Sequence, residues 1–319
     1  MRFWCERFIF GLVCLLTIAP AVHAQQAMRG PAPEVTKLTT KDGVELSITY
    51  YPSRAAKDPA IGKQVTPVVL LHDEKDTQGM FASLAAKLQV AGQPGGQASF
   101  AVVTVDLRGH GASTRQTAFN GQTRQLDAAK LTRNDLLAMS VQDMEAVRSY
   151  LVGKNDNGEL NLNKLSLVGA GMGAMVAVNW AAQDWSAPPL AIGKQGQDVK
   201  ALVLISPQWK FRGIPLQQGM RQTDLKRSAA WLLIFGGQDS TQTADAGRIY
   251  RQLEKFHPAP ASAQGPPRRL VEMPYPSALE GSGLLSQAGA NLDEQIIGFL
   301  TTHVADQELP WKKRRNILQ

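Results

Sequence analysis

The chain has 319 residues, 44% of them hydrophobic and 19% charged, so it carries enough apolar surface to offset the entropy of ordering a backbone, and a disordered chain is excluded. Its formal charge is +7, but much of the excess sits in Arg2 and Arg7 at the start and in Lys312, Lys313, Arg314 and Arg315 at the end. The body between is nearly neutral, and no nucleic-acid-binding module is implied. The two cysteines, Cys5 and Cys14, both precede residue 25, so a chain cut there has neither a disulfide nor a thiolate nucleophile or ligand.

Arg2 and Arg7 lead into an apolar run from Phe8 to Val22 that closes on Val22-His23-Ala24 before Gln25. That pattern predicts a signal peptide over 1–24 and export to the periplasm or the exterior. The run is broken by Gly11 and Pro20, and falls short of the roughly 20 apolar residues of a spanning helix. No integral membrane domain is therefore expected after cleavage; an uncleaved anchor is the alternative. Residues 25–34 are polar and contain prolines, and read as a linker.

Two strands follow, Val35 to Thr40 and Val44 to Tyr51, joined by a hairpin turn at Lys41-Asp42-Gly43. Beyond them, buried apolar runs alternate with helix-length amphipathic segments, the signature of parallel strands with helical crossovers. The strands are expected at Thr66–Leu71, Phe100–Val105, Leu165–Val168, Ala201–Ile205, Ala230–Phe235 and Arg269–Met273. Leu137, Val141, Met144, Val147 and Leu151 are spaced to share one helical face, and Leu292, Ile296, Phe299, Leu300 and His303 form a second stripe. Gln208 to Arg227 is the only excursion long enough to cover the strand ends, so the cap is minimal and the mouth open. The basic segment 305–319 reads as a solvated tail, with contact to anionic lipid or polymer as the alternative.

The run Leu165 to Ala174 is a strand turning abruptly into a helix, with Gly169, Gly171 and Gly173 at the turn. Read as Gly-x-Gly-x-x-Ala it is a dinucleotide fingerprint, but the strand Ala201 to Ser206 then ends in Pro207-Gln208, where an acid should bind ribose. Read as Gly-x-Ser-x-Gly it is a nucleophile elbow whose serine position holds Gly171. Val68 to His72 ends as a strand leading into His-Gly would, and Asp106-Leu107-Arg108-Gly109-His110-Gly111-Ala112-Ser113 follows an Asp-x-Arg-Gly-His-Gly-x-Ser pattern.

On these motifs the chain resembles the α/β-hydrolase superfamily over residues 35–304, specifically its serine-aminopeptidase-like and lysophospholipase-like members. The resemblance implies an α/β fold with a mostly parallel central sheet of about eight strands, helices on both faces and no cofactor. It places the acid of the triad at Asp239 and the histidine at Glu280, by comparison with a His-Gly-x-x-Leu-Leu pattern. The oxyanion-hole positions fall on Asp73 and Met172, with His72 and Glu74 as pocket-lining residues. A glycine has no hydroxyl to attack a carbonyl, and Asp73 brings a negative charge where a developing oxyanion would form.

The triad is therefore expected to be degenerate, and the protein to bind a small-molecule ligand or a protein partner without serine-hydrolase activity. Two alternatives stay open. Asp73, Asp239 and Glu280 converge to activate water or hold a divalent cation, or the nucleophile lies elsewhere, with Ser166 and Ser206 as the nearest serines.

Overall fold

The computed structural model describes residues 30–92, 98–188, 194–260, 262 and 265–314. The expected signal peptide, 1–24, lies outside the described residues. Among those described, no helix is long and apolar enough to cross a membrane.

Eight strands form one sheet: β1 (Glu34–Thr39), β2 (Glu45–Tyr51), β3 (Thr66–Leu71), β4 (Phe100–Val105), β5 (Leu165–Ala170), β6 (Val199–Ile205), β7 (Ala230–Gly236) and β8 (Leu270–Tyr275). Their order is β1-β2-β4-β3-β5-β6-β7-β8. β2 runs antiparallel to both its neighbours, and every pairing from β4 to β8 is parallel. The expected strands are all present: β3 to β7 are buried on both faces and need cover on both sides, while β8, at the edge, is buried only at Leu270. Val69 and Leu71 face one layer, with α2 (Met144–Asp156), α3 (Met172–Ser186) and α4 (Ser240–Leu253). Val68 and Leu70, one residue out of phase, face the other, with α1 (Ala82–Val90) and α5 (Gly281–Leu300). Each fully buried Leu or Val contributes roughly 1.5–3 kcal/mol, so a charge at Leu70 would break the smaller layer.

Two expectations need correction. Leu137, Val141, Met144, Val147 and Leu151 do not share one face. A π-turn at Met139–Asp143 separates the helix Arg133–Ala138 from α2 and leaves Val141 43% exposed, while Met144, Val147 and Leu151 are buried. The reason is electrostatic: Asp143, wholly buried at the end of that turn, receives the Arg108 guanidinium (Nε to Oδ1 2.9 Å), which also reaches Asp42 at 2.7 Å.

The C-terminal segment, expected as solvated, is docked through residue 314. Asn161 donates to Leu309 O at 2.7 Å and Asn155 to Lys312 O at 3.0 Å, while the Trp311 indole donates back to Asn155 O at 3.2 Å. Arg314 is 2% exposed and donates to Asp198 Oδ1 at 2.6 Å, where Lys194 also arrives at 2.8 Å. The polar side chains that seat the tail are scattered through the middle of the chain, so no local pattern announces them.

Asp184 lies beside this cluster and accepts from Asp198 N–H at 2.7 Å and Val199 N–H at 3.0 Å. Burial, reinforced by the charge of Asp198, pushes its carboxyl up to about 7. A carboxyl whose folded value lies above its unfolded one contributes stability at low pH and loses it as pH rises towards that folded value. Asp184→Asn, which keeps an acceptor for both amides, is therefore expected to flatten the fall in stability between pH 4 and pH 7 and to gain about 2 kcal/mol above pH 7. Urea unfolding at a series of pH values checks this.

Candidate functional site

The end of β5 carries the elbow. Gly171 has φ +46° and ψ −107°, a conformation that strains any residue with a Cβ, and it begins α3. The turn is anchored by Gly171 N–H on Ile205 O at 2.9 Å, and Ala174 N–H returns to Gly171 O at 3.1 Å. Two residues on, a Cβ at Gly173 would meet Leu71 O at 2.1 Å, so α3 reaches β3 only because that position is glycine. The backbone thus keeps the form that presents a nucleophile, without a nucleophile on it.

Asp73 occupies the space so vacated. A Cβ built on Gly171 would lie 2.1 Å from Asp73 Oδ1 and 2.4 Å from Oδ2. Oδ1 accepts from Met172 N–H at 2.9 Å and from Glu74 N–H at 2.7 Å. Those are two backbone donors of the kind that elsewhere stabilise an oxyanion; here they are filled by a side chain of the same molecule. The helix dipole of α3 adds to the attraction. Sequence reasoning placed Asp73 and Met172 at this hole and treated the acid as a repulsive neighbour; the structure makes it the occupant. The missing signal is one of volume, since glycine at 171 and a carboxylate at 73 are complementary in size, and neither position reveals this alone.

The loop under Asp73 is held by two histidines. His72 is fully buried: its Nε2 accepts from Leu107 N–H at 3.0 Å, so Nδ1 carries the proton that goes to Asp73 O at 2.7 Å. Burial lowers its pKa to about 4, and it stays neutral. His110 packs against it with ring centroids 4.8 Å apart and faces the carbonyls of Arg108 and Glu74. Neither imidazole has a nitrogen turned to a substrate, and His72 supports the loop from beneath instead of lining a pocket. Glu74 is half-buried and pairs with Arg212, which stands at the tip of the ribbon Lys210–Phe211/Ile214–Pro215 with φ +43°. The excursion 208–227 is thus small, as expected, and it is folded and latched to the loop through Arg212.

The other triad positions are brought to the same edge without forming a relay. Asp239 caps α4, its Oδ1 accepting from Thr241 and Gln242 N–H, both at 2.8 Å. Glu280 precedes α5, is exposed, and makes no capping hydrogen bond. The next residue, Gly281, has φ +52°, donates to Ser206 Oγ at 3.1 Å, and lies against Asp73, a Cβ there meeting Oδ2 at 3.0 Å. Ser206 is buried with φ +47°, but it ends β6 and its hydroxyl oxygen is engaged by that amide. Ser166 is buried within β5. A further acid, Asp76, was not singled out from the sequence; it accepts from Ser282, and burial followed by the charge of Asp73 pushes its carboxyl up. Among the described residues, no three His, Cys, Asp or Glu side chains are grouped to hold a metal ion.

Replacing Asp73 by Ala should strip two charge-assisted hydrogen bonds and destabilise the chain by about 2 kcal/mol. Acetate at high concentration should recover part of that loss in Asp73→Ala and none in the parent, as read by thermal unfolding.

Strand order, elbow and His72 loop together define an α/β-hydrolase domain. The chain belongs to the alpha/beta hydrolase family, whose family model matches residues 68–312. No curated protein matches it. Among solved structures it is similar to an esterase from Pyrococcus furiosus, at 13% identity and a TM-score of 0.55, covering 94% of this chain and 97% of that one. It is likewise similar to a fungal esterase from Rhizomucor miehei, at 13% identity and a TM-score of 0.55, covering 89% and 86%. At such identities the likeness speaks for the fold.

Proposed function

We propose that this chain is an exported member of the family that has exchanged serine-hydrolase chemistry for binding, and that it holds a small ligand or a protein partner at the carboxyl edge of its sheet. One observation carries the reading: the Asp73 carboxylate sits on the Met172 and Glu74 amides, in the space a nucleophile's side chain would need. A substrate carbonyl would meet a negative charge where it needs donors, and no hydroxyl where it needs attack. The esterase neighbours share the fold, and esterase activity is not carried over from them.

Export rests on the pattern of residues 1–24, and periplasmic or secreted placement follows from it. Sequencing the amino terminus of the protein recovered after expression with its full leader should begin at Gln25; recovery of an intact Met1 terminus would count against cleavage. The binding role is tested on the mature chain by a thermal-shift screen of small molecules, run beside hydrolysis of short-chain nitrophenyl esters. A saturable stabiliser with ester hydrolysis at the buffer rate supports the reading, and steady turnover above it overturns the reading.

A further inference from the structure

At the opposite, amino-terminal edge of the sheet lies a cavity of about 380 Å³, lined by none of the residues of the Asp73 site. It is lined by Lys200 near the start of β6, Ser228 before β7, Arg269 before β8, and Thr302, His303 and Gln307 after α5, with Pro266, Pro267 and Leu309 as its apolar wall. Three residues with nitrogenous groups that can carry positive charge, Lys200, Arg269 and His303, are among its lining residues, and no carboxylate is. Of the two buried acids whose charge acts on Lys200, Asp198 is already bonded to Arg314 and Lys194, and Asp184 to the Asp198 and Val199 amides.

The cations are positioned without being neutralised. Lys200 Nζ donates to Gln197 O at 2.6 Å and lies 5.0 Å from the centre of the Trp185 ring, and Arg269 donates to Ser228 O. Burial, then the charge of Lys194, pulls the Lys200 ammonium down to about 8, and burial followed by the charge of Arg269 lowers His303. Carbonyls at the end of α5 that would repel an anion are already occupied: Thr301 O by Asp306 N–H at 2.9 Å, Thr302 O by Gln307 Nε2 at 2.8 Å, Val304 O by Gln307 N–H at 3.1 Å and Ala305 O by Lys164 Nζ at 2.8 Å. Two cations, an imidazole and two hydroxyls around a cavity of this size match a doubly charged oxyanion, and the prolines and Leu309 match a compact apolar body beside it.

We propose that this cavity is a second binding site, taking a small molecule that carries a phosphate monoester on a compact apolar group. The site is independent of the Asp73 region, so its fate does not decide the reading given above.

Phenyl phosphate titrated calorimetrically into the mature chain is expected to bind at one site with a Kd at or below about 1 mM. It should bind more tightly than inorganic phosphate, which lacks the apolar group, and more tightly than benzoate, which carries a single charge. Lys200→Met and Arg269→Gln should each weaken it by about tenfold or more, while Lys210→Met at the other edge of the sheet leaves it unchanged. Arg269 is exposed, so its substitution keeps the test valid even where Lys200→Met lowers stability. Absence of saturable binding, binding that survives Arg269→Gln, or benzoate binding as tightly as phenyl phosphate would overturn the proposal.

Discussion

Arg314→Met is expected to destabilise the protein by about 4 kcal/mol, more than any surface charge removal, although residue 314 lies five positions from the end of the chain. Its guanidinium is buried and donates to Asp198 at 2.6 Å and to Asn163 Oδ1 at 2.7 Å, and its own amide donates to Asp156 Oδ1 at 2.6 Å. Removing the guanidinium leaves Asp198, itself fully buried, with Lys194 at 2.8 Å and Arg148 at 3.7 Å. Lys194 stays as one close partner of Asp198, so the cost is that of two lost charge-assisted hydrogen bonds, to Asp198 and Asn163, together with the lost packing of a buried side chain. Arg314→Lys should recover only part of the loss, because an ammonium cannot serve Asp198 and Asn163 with the geometry of a planar fork. Chemical denaturation of the three proteins gives the comparison. A loss under about 1 kcal/mol would mean that the tail is seated by its asparagine contacts alone.

Gly171→Ser is expected to cost about 3 kcal/mol and to create no hydrolase, even when combined with Glu280→His. The new Cβ lands 2.1 Å from Asp73 Oδ1, so serine enters only if Asp73 leaves the two amides. The clash identifies its own suppressor. Asp73→Gly, destabilising in the parent for want of a hydrogen-bond acceptor, should become close to neutral in the Gly171→Ser background. The coupling between the two positions should be about 2 kcal/mol. Additive effects of the two substitutions would mean that Asp73 and residue 171 do not compete for one space.

The fold was legible because its signals are local and repeated. Runs such as Val68–Leu71 and Leu232–Phe235 are apolar on both faces, and Gly169, Gly171 and Gly173 mark a strand meeting a helix at close range. The vacancy at the elbow was legible for the same reason, being one residue type at one position. What escaped the sequence depends on partners far apart in the chain. The Asp73 carboxylate meets the Met172 amide across the sheet, Arg212 meets Glu74, and Arg314 meets Asp198. The π-turn at Met139–Asp143 escaped likewise, since the pull of Arg108 on Asp143 overrides the periodicity that predicted an unbroken face.

The bend after β5 carries Gly171 and no reactive side-chain oxygen. Incubating the purified wild-type chain with a fluorophosphonate and weighing the intact protein by mass spectrometry addresses that directly. The expected spectrum is unchanged in mass, with Gly171→Ser/Asp73→Gly/Glu280→His as the comparison in which a serine has been supplied. A stoichiometric adduct on the wild-type chain, whether on Ser206 or on any other serine at the carboxyl edge of the sheet, would contradict it.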